Sequence, residues 1–334
     1  MNQQLRPISV LLALVLAASC LPAVVIKIGS IAPDGSIWGK TLNELAAECG
    51  RISGGEVQFK IYPGGIVGGE TDMLTKMRLG TLSGAVFTIM GMTAIDRDTF
   101  VLNTPFLMNS DPEFRYIFDR MKPIFEKRIE AKSFKVLLWT LVGWEYFFSK
   151  DAVLYPEDLK KQKLSFTTVE PELAHAWKKM GYQIIPNDLK DLLMGLQSGM
   201  VTAFYLPPLV AGSGQFFALA PHMLALRLSP IIGGLVLTDR AWQSIPEPFH
   251  EPIIKAIARL STSLYQQTEQ LEGEVLKTMK ENGLIIHEPP ADAPAKWRAA
   301  AFAGMDDLEG KAFSREIYEQ ILALLQEYRQ KIGK

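Results

Sequence analysis

The stretch Leu164–Gly181, LSFTTVEPELAHAWKKMG, decides the fold class of this chain. Its first residues are typical of a short strand, and the chain turns at Glu170–Pro171. A helix follows, with Leu173, Trp177 and Met180 on one side. A strand that leads into a helix through a tight turn is the repeating unit of α/β proteins, and such turns commonly hold anionic ligands.

The turn in this stretch is acidic. The strand ends with the residues from Ser165 to Thr168, and Glu170 and Glu172 follow, with no Lys or Arg between them. A bound anion would therefore find no cation there. The sequence indicates a ligand that needs none.

Strands and helices alternate over the rest of the chain as well. Before the opening stretch, the sequence predicts strands at VVIKIGS, EVQFKIY, GAVFTIM and FKVLLWTLVG, with helices between them. After it, strands are predicted at YQIIP, MVTAFYL and SPIIGGLVLT, before long helices over about 239–282 and 294–333. This alternation predicts an α/β fold with mostly parallel sheets, in two lobes with a cleft between them. We expect residues 24–143 and about 231–270 in the first lobe, and 148–228 and about 271–333 in the second.

Several local features complete this prediction. The segment 187–199 predicts a helix capped by Asn187 or Asp188, which ends at Gly199. Its inward face would hold four leucines, Leu189, Leu192, Leu193 and Leu196. A break is expected at Lys122–Pro123 within an otherwise helical segment. Cys49 shares a helix face with apolar residues, so we expect a buried thiol and no disulfide.

The N-terminus is typical of an exported protein. The apolar run Ile8–Ala18 has the length of a signal-peptide core and is too short to span a bilayer. It leads into Leu16-Ala-Ala-Ser-Cys20, which resembles a lipobox. We therefore expect residues 1–20 to form a signal peptide with a lipobox-like end, and Cys20 to be lipidated and to tether the chain in the periplasm. The alternative is an ordinary cleaved signal with an incidental cysteine.

Composition and motifs argue against several function classes. The net charge is −1 and 21% of residues are charged, so nothing favours nucleic-acid binding. The four histidines have no metal-ligand spacing, and neither a nucleophile elbow nor a phosphate-binding loop is present. The sequence thus predicts neither an enzyme nor a bound cofactor or metal.

The order of the segments is similar to that of the DctP-type solute-binding proteins of tripartite ATP-independent periplasmic (TRAP) transporters. The similarity lies in the segments IKIGSIAPDGSIWGK, ISGGEVQFKIYPGGIVGGETDMLTKMRLGTLSGA, NTPFLMNSDPEF, VLLWTLVGWEYFFSKDAVLYPEDLKKQKLSF, GYQIIPNDLKDLLMGLQSGMVTAF and LVLTDRAWQSIPE. The resemblance implies a two-lobe, type II periplasmic-binding-protein-like fold with hinge-crossing strands and long C-terminal helices. It also implies delivery of a ligand to a TRAP-type permease, with an accessory periplasmic protein as a further candidate partner.

This chain departs from the family pattern at the ligand site. Ser165 stands where the family usually has the Arg that binds the substrate carboxylate, and Glu145 falls on a second, common Arg position. Leu206 corresponds to an Asn, and Leu189 to an aromatic residue. Alignment and neighbouring aromatics add further candidate ligand-binding residues, namely Trp144, Tyr146, Phe166, Phe204, Tyr205, Glu70 and Met90. Each aromatic among them has core packing as its alternative role.

These departures predict an apolar or weakly polar ligand, lipid-like or aromatic, because a buried carboxylate without a cation is costly. Burial of roughly 300 Å² of apolar surface would offset the loss of an ion pair, at about 7 kcal/mol before association costs. One alternative keeps a small organic acid and takes its cation from Lys163, Arg227 or a bound metal ion. Another is an interaction lipoprotein that has lost transport.

Overall fold

The computed structural model describes residues 23–167, 171–304 and 308–332. The signal peptide, Cys20, Thr168 and Glu170 lie outside these residues. The described strands are β1 (Val24–Ser30), β2 (Val57–Tyr62), β3 (Gly84–Thr88), β4 (Phe134–Trp144), β5 (Tyr146–Ser149), β6 (Lys163–Phe166), β7 (Gln183–Pro186), β8 (Ala203–Leu206), β9 (His222–Leu224), β10 (Pro230–Thr238) and β11 (Ile285–His287).

The described α-helices surround these strands. They are α1 (Ile37–Ile52), α2 (Glu70–Arg78), α3 (Ile89–Ile95), α4 (Asp111–Glu130), α5 (Pro156–Leu159), α6 (Pro171–Lys179), α7 (Leu192–Ser198), α8 (Pro208–Ser213), α9 (Asp239–Ser244), α10 (His250–Glu281), α11 (Ala293–Phe302) and α12 (Arg315–Ile332). Short 3₁₀ helices lie at Arg97–Asn103, Leu189–Asp191, Phe216–Ala218 and Glu247–Phe249. None of these helices is long and apolar enough to span a membrane.

The strands form two mixed sheets. The first has the order β2-β1-β3-β10-β4 and the second the order β11-β9-β5-β8-β6-β7. The expectation of mostly parallel sheets is confirmed, because in each sheet only one strand runs against the others: β10, antiparallel to both β3 and β4, and β5, antiparallel to β8 and β9. Each of these two strands directly follows a crossing from one sheet to the other. The predicted α/β class and two-lobe architecture are confirmed.

Two chain crossings join the lobes side by side. Glu145 separates β4 of the first sheet from β5 of the second, and residues 225–229 lead back from β9 to β10. The Glu145 amide donates to the Ser229 carbonyl at 3.0 Å, and the Leu228 amide donates to the Glu145 carbonyl at 2.9 Å. The long helix α10 packs against α1 and β4 and, further along, against α8. The crossings and this helix are therefore the natural hinge between the lobes.

Each lobe is held by apolar faces that the sequence periodicity predicts. Met73, Leu74 and Met77 of α2 are buried, as expected for one face of a helix. Cys49 is also buried, which confirms the predicted core thiol, and burial raises its pKa to about 12.

The end of the chain contacts both lobes. Arg329 of α12 donates to Glu113 of α4 at 2.7 Å, whereas Trp297 of α11 donates to the Leu154 carbonyl at 2.9 Å. These contacts do not assign residues 271–333 to one lobe, so their place in the second lobe stays a prediction. The other lobe boundaries also stay predictions.

Three local predictions were wrong. Helix α4 continues through Pro123, which is exposed, so water can satisfy the carbonyl that its missing N–H leaves free. Leu189 and Leu193 are 50% and 41% exposed, because the segment is a 3₁₀ turn followed by a short helix and only Leu192 and Leu196 face inward. Neither Asn187 nor Asp188 caps this helix with its side chain, although its C-terminal Gly199 has the expected left-handed conformation, at φ 69°.

Candidate ligand-binding site

A small pocket of about 140 Å³ opens where three parallel strands of the second sheet end. Strands β6, β7 and β8 deliver their carboxyl ends to one edge, the usual place for a ligand in an α/β sheet. The pocket is lined by Glu145, Ser165, Thr167, Asn187, Leu189, Leu192, Phe204, Tyr205 and Leu206. Six residues that the sequence predicted as ligand-binding therefore meet at one site, although their role stays a prediction.

Ser165 is fixed at the pocket by Asn187. Its hydroxyl donates to the Asn187 carbonyl at 3.2 Å and accepts from the Asn187 side-chain amide, also at 3.2 Å. The Asn187 Oδ1 atom is buried and has no hydrogen-bond partner among the described residues. Sequence reasoning considered Asn187 only as a helix cap, since the contact joins residues 22 positions apart.

Glu145 lies both in the wall of the small pocket and at the chain crossing between the lobes. Its side chain is 8% exposed, and the Ser229 hydroxyl donates to its Oε2 atom at 2.6 Å. Ser229 is itself buried and belongs to the returning segment. The hinge thus holds a carboxyl group inside the site.

No Lys or Arg is among the described residues that line the small pocket. Lys163 points its Nζ atom to the Gly199 carbonyl at 3.1 Å, on the exposed surface. Arg227 lies over the Trp144 ring, at 4.9 Å from the centroid, and pairs with Asp111 at 3.2 Å. Neither of the two cations named in the organic-acid alternative lines this pocket.

The aromatic candidates divide between pocket and core. Phe204 lines the pocket, and its ring also stacks on Phe148 with the centroids 5.1 Å apart. Phe166 is buried against Tyr205 and Trp177, at 5.3 and 6.3 Å, and does not line the pocket. Phe166 therefore supports the wall from behind.

Trp144 and Tyr146 lie on another side of the hinge. Trp144 lines a separate concavity of about 270 Å³ between the crossing strands and α10, which we call the hinge concavity. Its indole N–H donates to Asp111 at 2.6 Å. Burial raises the pKa of Tyr146, against the opposing effect of a hydrogen bond with Arg227. Both residues are thus part of the interlobe joint.

The other predicted residues, Glu70 and Met90, line a larger concavity of about 680 Å³, which is formed mostly by the first lobe and completed by Glu172 and Lys311. The Glu70 carboxylate accepts from the Thr88 amide at 2.7 Å, the Thr88 hydroxyl at 2.9 Å and the Gly91 amide at 2.7 Å. Burial raises the pKa of Glu70, and these hydrogen bonds act in the opposite direction. Glu70 therefore fixes the junction between β3 and α3 at the rim of this large concavity.

The large concavity has charges of both signs. Arg97 and Lys311 line it, together with the acidic Glu172 and Asp72. Thr167 lines the small pocket, whereas Glu172 lines the large concavity.

Metal ligands do not gather at this site. The described residues contain no group of three or more His, Cys, Asp or Glu side chains placed to hold an ion. His222 and His287 do meet at the edge of the second sheet, with Nδ1 and Nε2 2.8 Å apart. The sequence spacing could not show this pair, because its members are 65 residues apart.

Two lobes joined by crossing strands, with a pocket at the strand ends of one lobe beside the crossing, define the class of extracellular solute-binding proteins. Residues 28–310 match the DctP family, the bacterial extracellular solute-binding proteins of family 7. The chain belongs to this family, whose members are periplasmic and work with the membrane subunits of TRAP transporters.

Relatives and solved structures agree with this assignment. The chain is 22% identical over 283 residues to the sialic acid-binding periplasmic protein of Vibrio cholerae, covering 84% of this chain and 87% of that protein. A TRAP solute-binding protein from Desulfovibrio salexigens with bound orotic acid superposes with a TM-score of 0.80, at 19% identity, over 92% of this chain and 99% of the other. Another, from Chromohalobacter salexigens with bound D-glucuronate, also gives 0.80 at 19% identity, over 90% and 99% of the chains.

Proposed function

We propose that this TRAP solute-binding protein captures an apolar or weakly polar small molecule without a carboxylate and delivers it to a TRAP-type permease. The observation that supports this most strongly is Glu145, a buried carboxylate in the wall of the small pocket beside Ser165. Two carboxylates about 4 Å apart repel by about 4 kcal/mol at the effective dielectric constant of protein sites. A ligand carboxylate at this position would therefore be rejected.

The remaining wall favours apolar ligand surface. Leu189, Leu192, Phe204 and Leu206 line the pocket, so apolar burial supplies the affinity. The polar atoms there include the acceptors of Glu145 and Asn187. A ligand that combines an apolar body with one or two hydroxyl or amine donors matches this arrangement.

The proposal extends to the way the protein is held at the membrane. We infer that Cys20 is lipidated after removal of residues 1–19, because small residues precede it directly after an apolar run. Intact-mass spectrometry of the chain from membranes tests this step. A mass increase from lipid at Cys20 is expected, and cleavage elsewhere with an unmodified cysteine would refute it.

The ligand class is tested by what the protein retains. The chain from Leu21 onward is purified, denatured, extracted with organic solvent and analysed by mass spectrometry. We expect a stoichiometric neutral or amine-bearing molecule. A carboxylate would refute the proposal, and a site with neither bound molecule nor affinity for apolar probes would favour the interaction-protein alternative.

A second candidate, an organic acid, is favoured by a specific observation. Arg97 and Lys311 line the large concavity, so a carboxylate could pair there instead of at Glu145. The structural neighbours from Desulfovibrio and Chromohalobacter hold acids. Loss of acid binding in Arg97→Gln, with binding unchanged in Arg51→Gln, an exposed arginine outside every concavity described above, would establish this candidate.

A further inference from the structure

A further concavity gathers positive charge at the end of the first lobe opposite the cleft. It has a volume of about 450 Å³ and is lined by Met77, Arg78, Lys132, Ser133, Phe134, Thr238 and Arg240. Strand β4 begins and strand β10 ends at this concavity. Thr88, at the cleft end of β3, pairs with Gly233 in the first half of β10, so the cleft lies at the other end of the lobe. We call this surface the base of the first lobe.

Cations from three separate elements meet at the base. Arg78 ends α2, Lys132 precedes β4, and Arg240 lies in α9, and all three are exposed. Arg240 is positioned beside the Gly80 carbonyl, at 3.5 Å. Lys132 also pairs with Asp96 at 3.0 Å, which offsets its charge. The guanidinium groups of Arg78 and Arg240 therefore contribute most of the positive charge that the base presents outward.

Acidic residues lie next to the concavity but not in its lining among the described residues. Glu130 pairs with Lys135 at 3.5 Å. Burial and the nearby Glu130 raise the pKa of Asp239, against the opposing effect of Lys135. The described lining itself, with Arg78, Lys132 and Arg240, is positively charged.

An exposed apolar side chain lies beside these cations, between Arg78 and Gly80, whose carbonyl Arg240 approaches. Leu79 directly follows Arg78 and is 74% exposed. A leucine flanked by arginines is the combination that inserts into the headgroup region of a membrane, since the apolar group enters the acyl boundary while the cations meet phosphates.

The chain enters the first lobe at this same end. The Ser83 amide donates to the carbonyl of Lys27 in β1 at 2.9 Å. The amide of Thr238, which lines the base, donates to the Ser83 carbonyl, also at 2.9 Å. Ser83 therefore connects the first half of β1 with the base. Cys20 is four residues before Val24, where β1 begins. Four extended residues span at most about 14 Å.

We propose that the base of the first lobe contacts the anionic phospholipid headgroups of the membrane, with Arg78 and Arg240 on phosphates and Leu79 inserted between them. The inference uses the proposed lipid anchor at Cys20, which would hold this end of the protein at the bilayer. The contact would leave the cleft, at the opposite end of the lobe, away from the lipid surface.

Vesicle flotation at low ionic strength tests the contact without the anchor. The chain from Leu21 onward contains every described residue of the fold and is mixed with phosphatidylglycerol or phosphatidylcholine vesicles. Each cation near an anionic surface contributes about fivefold in binding, so Arg78→Gln with Arg240→Gln should weaken partitioning into phosphatidylglycerol roughly twenty-fivefold. Leu79→Ser should weaken it further.

The matched control removes two exposed lysines from the second half of α10, Lys277→Gln with Lys280→Gln, and should change binding little. Equal losses of vesicle binding in both double variants would show that binding depends only on the overall charge of the protein. Equal binding to phosphatidylglycerol and phosphatidylcholine vesicles would show that the headgroup is not recognised. Either result would overturn the proposal. A third result would also overturn the proposal: inorganic phosphate raises the melting temperature, this effect depends on Arg78 and Arg240, and the chain does not bind vesicles. The site would then bind a free anion. The mass of Cys20 is measured separately, so a missing anchor and a missing lipid contact are distinguishable.

Discussion

Two glutamates face the interlobe region, one from the first lobe and one from the crossing between the lobes, and their surroundings differ. Glu70, on the first lobe, receives two backbone amides and a hydroxyl within its own lobe. Glu145, at the crossing between lobes, accepts from the buried Ser229 hydroxyl and lines the small pocket. We infer that Glu70 maintains the fold of the first lobe, whereas Glu145 determines which ligand the second lobe accepts.

The largest effect is expected for Glu70→Ala. The substitution leaves the Thr88 and Gly91 amides without their acceptor, so the free energy of unfolding should fall by about 3 kcal/mol. Urea denaturation measures it, with the exposed Glu44→Ala as the control. An unchanged midpoint would show that Glu70 has no structural role and would break the comparison.

The pH dependence of Glu70 sharpens the same point. Burial raises the pKa of Glu70 above its ordinary value of 4.5, so the folded state binds the proton more tightly than the unfolded state. Its contribution to stability is therefore largest at low pH and declines as the pH rises above 4.5 through the folded pKa. The stability of the native chain relative to Glu70→Gln should fall from pH 4 to pH 7 in urea titrations. A rise over this range would contradict the argument.

Charge reversal at the small pocket should create acid binding. In Ser165→Arg alone the guanidinium is expected to pair with Glu145, and no acid should bind. With Glu145→Arg added, D-glucuronate or orotate should bind at least about tenfold more tightly than to the single variant, since bidentate pairs are strong.

Calorimetric titration measures both affinities. If thermal melting shows that the double arginine variant does not fold, Ser165→Arg with Glu145→Gln gives the same comparison. Acid binding by Ser165→Arg alone would mean that Glu145 does not control the charge of the site.

Apolar affinity should depend on Leu206. Replacing this pocket leucine by alanine should weaken binding of the extracted ligand roughly five- to thirtyfold, corresponding to about 1–2 kcal/mol of apolar burial. Leu193→Ala removes an exposed leucine of the same lobe and should leave the affinity unchanged. Similar losses for the two variants would place the ligand elsewhere.

The smallest effect is expected for Ser229→Ala. Removing one hydroxyl donor to a buried carboxylate should lower the free energy of unfolding by about 1 kcal/mol. Ser213→Ala, on an exposed helix end, serves as the control in the same denaturation series. A loss as large as that of Glu70→Ala would show that Glu145 is also mainly structural.

The sequence was sufficient for the fold class because hydrophobic periodicity is a local signal. Alternating strand and helix patterns predict two α/β lobes, and the buried face of α2 follows from its spacing. The direction of the crossing strands was not predicted, since β10 pairs with β4 and β3 over distances that no local pattern encodes.

The site was predictable only in part, for the same reason. Resemblance to a family placed Ser165 and Glu145, and the structure brings them to one pocket. Their partners, Asn187 and Ser229, come from 22 and 84 residues away and could be identified only from the fold. Trp144 and Phe166 show the limit of composition, because a buried aromatic is equally compatible with a hinge, a core or a pocket.

The central claim is that this pocket rejects carboxylates, and calorimetry of the unaltered chain tests it most directly. The chain from Leu21 onward is titrated at pH 7 with orotate, D-glucuronate and sialic acid, the acids named for its relatives. We predict no saturable heat for any of the three. One-to-one binding of any one of them, retained when Arg97 is replaced by Gln, would show that a carboxylate is accepted beside Glu145 and would contradict the account.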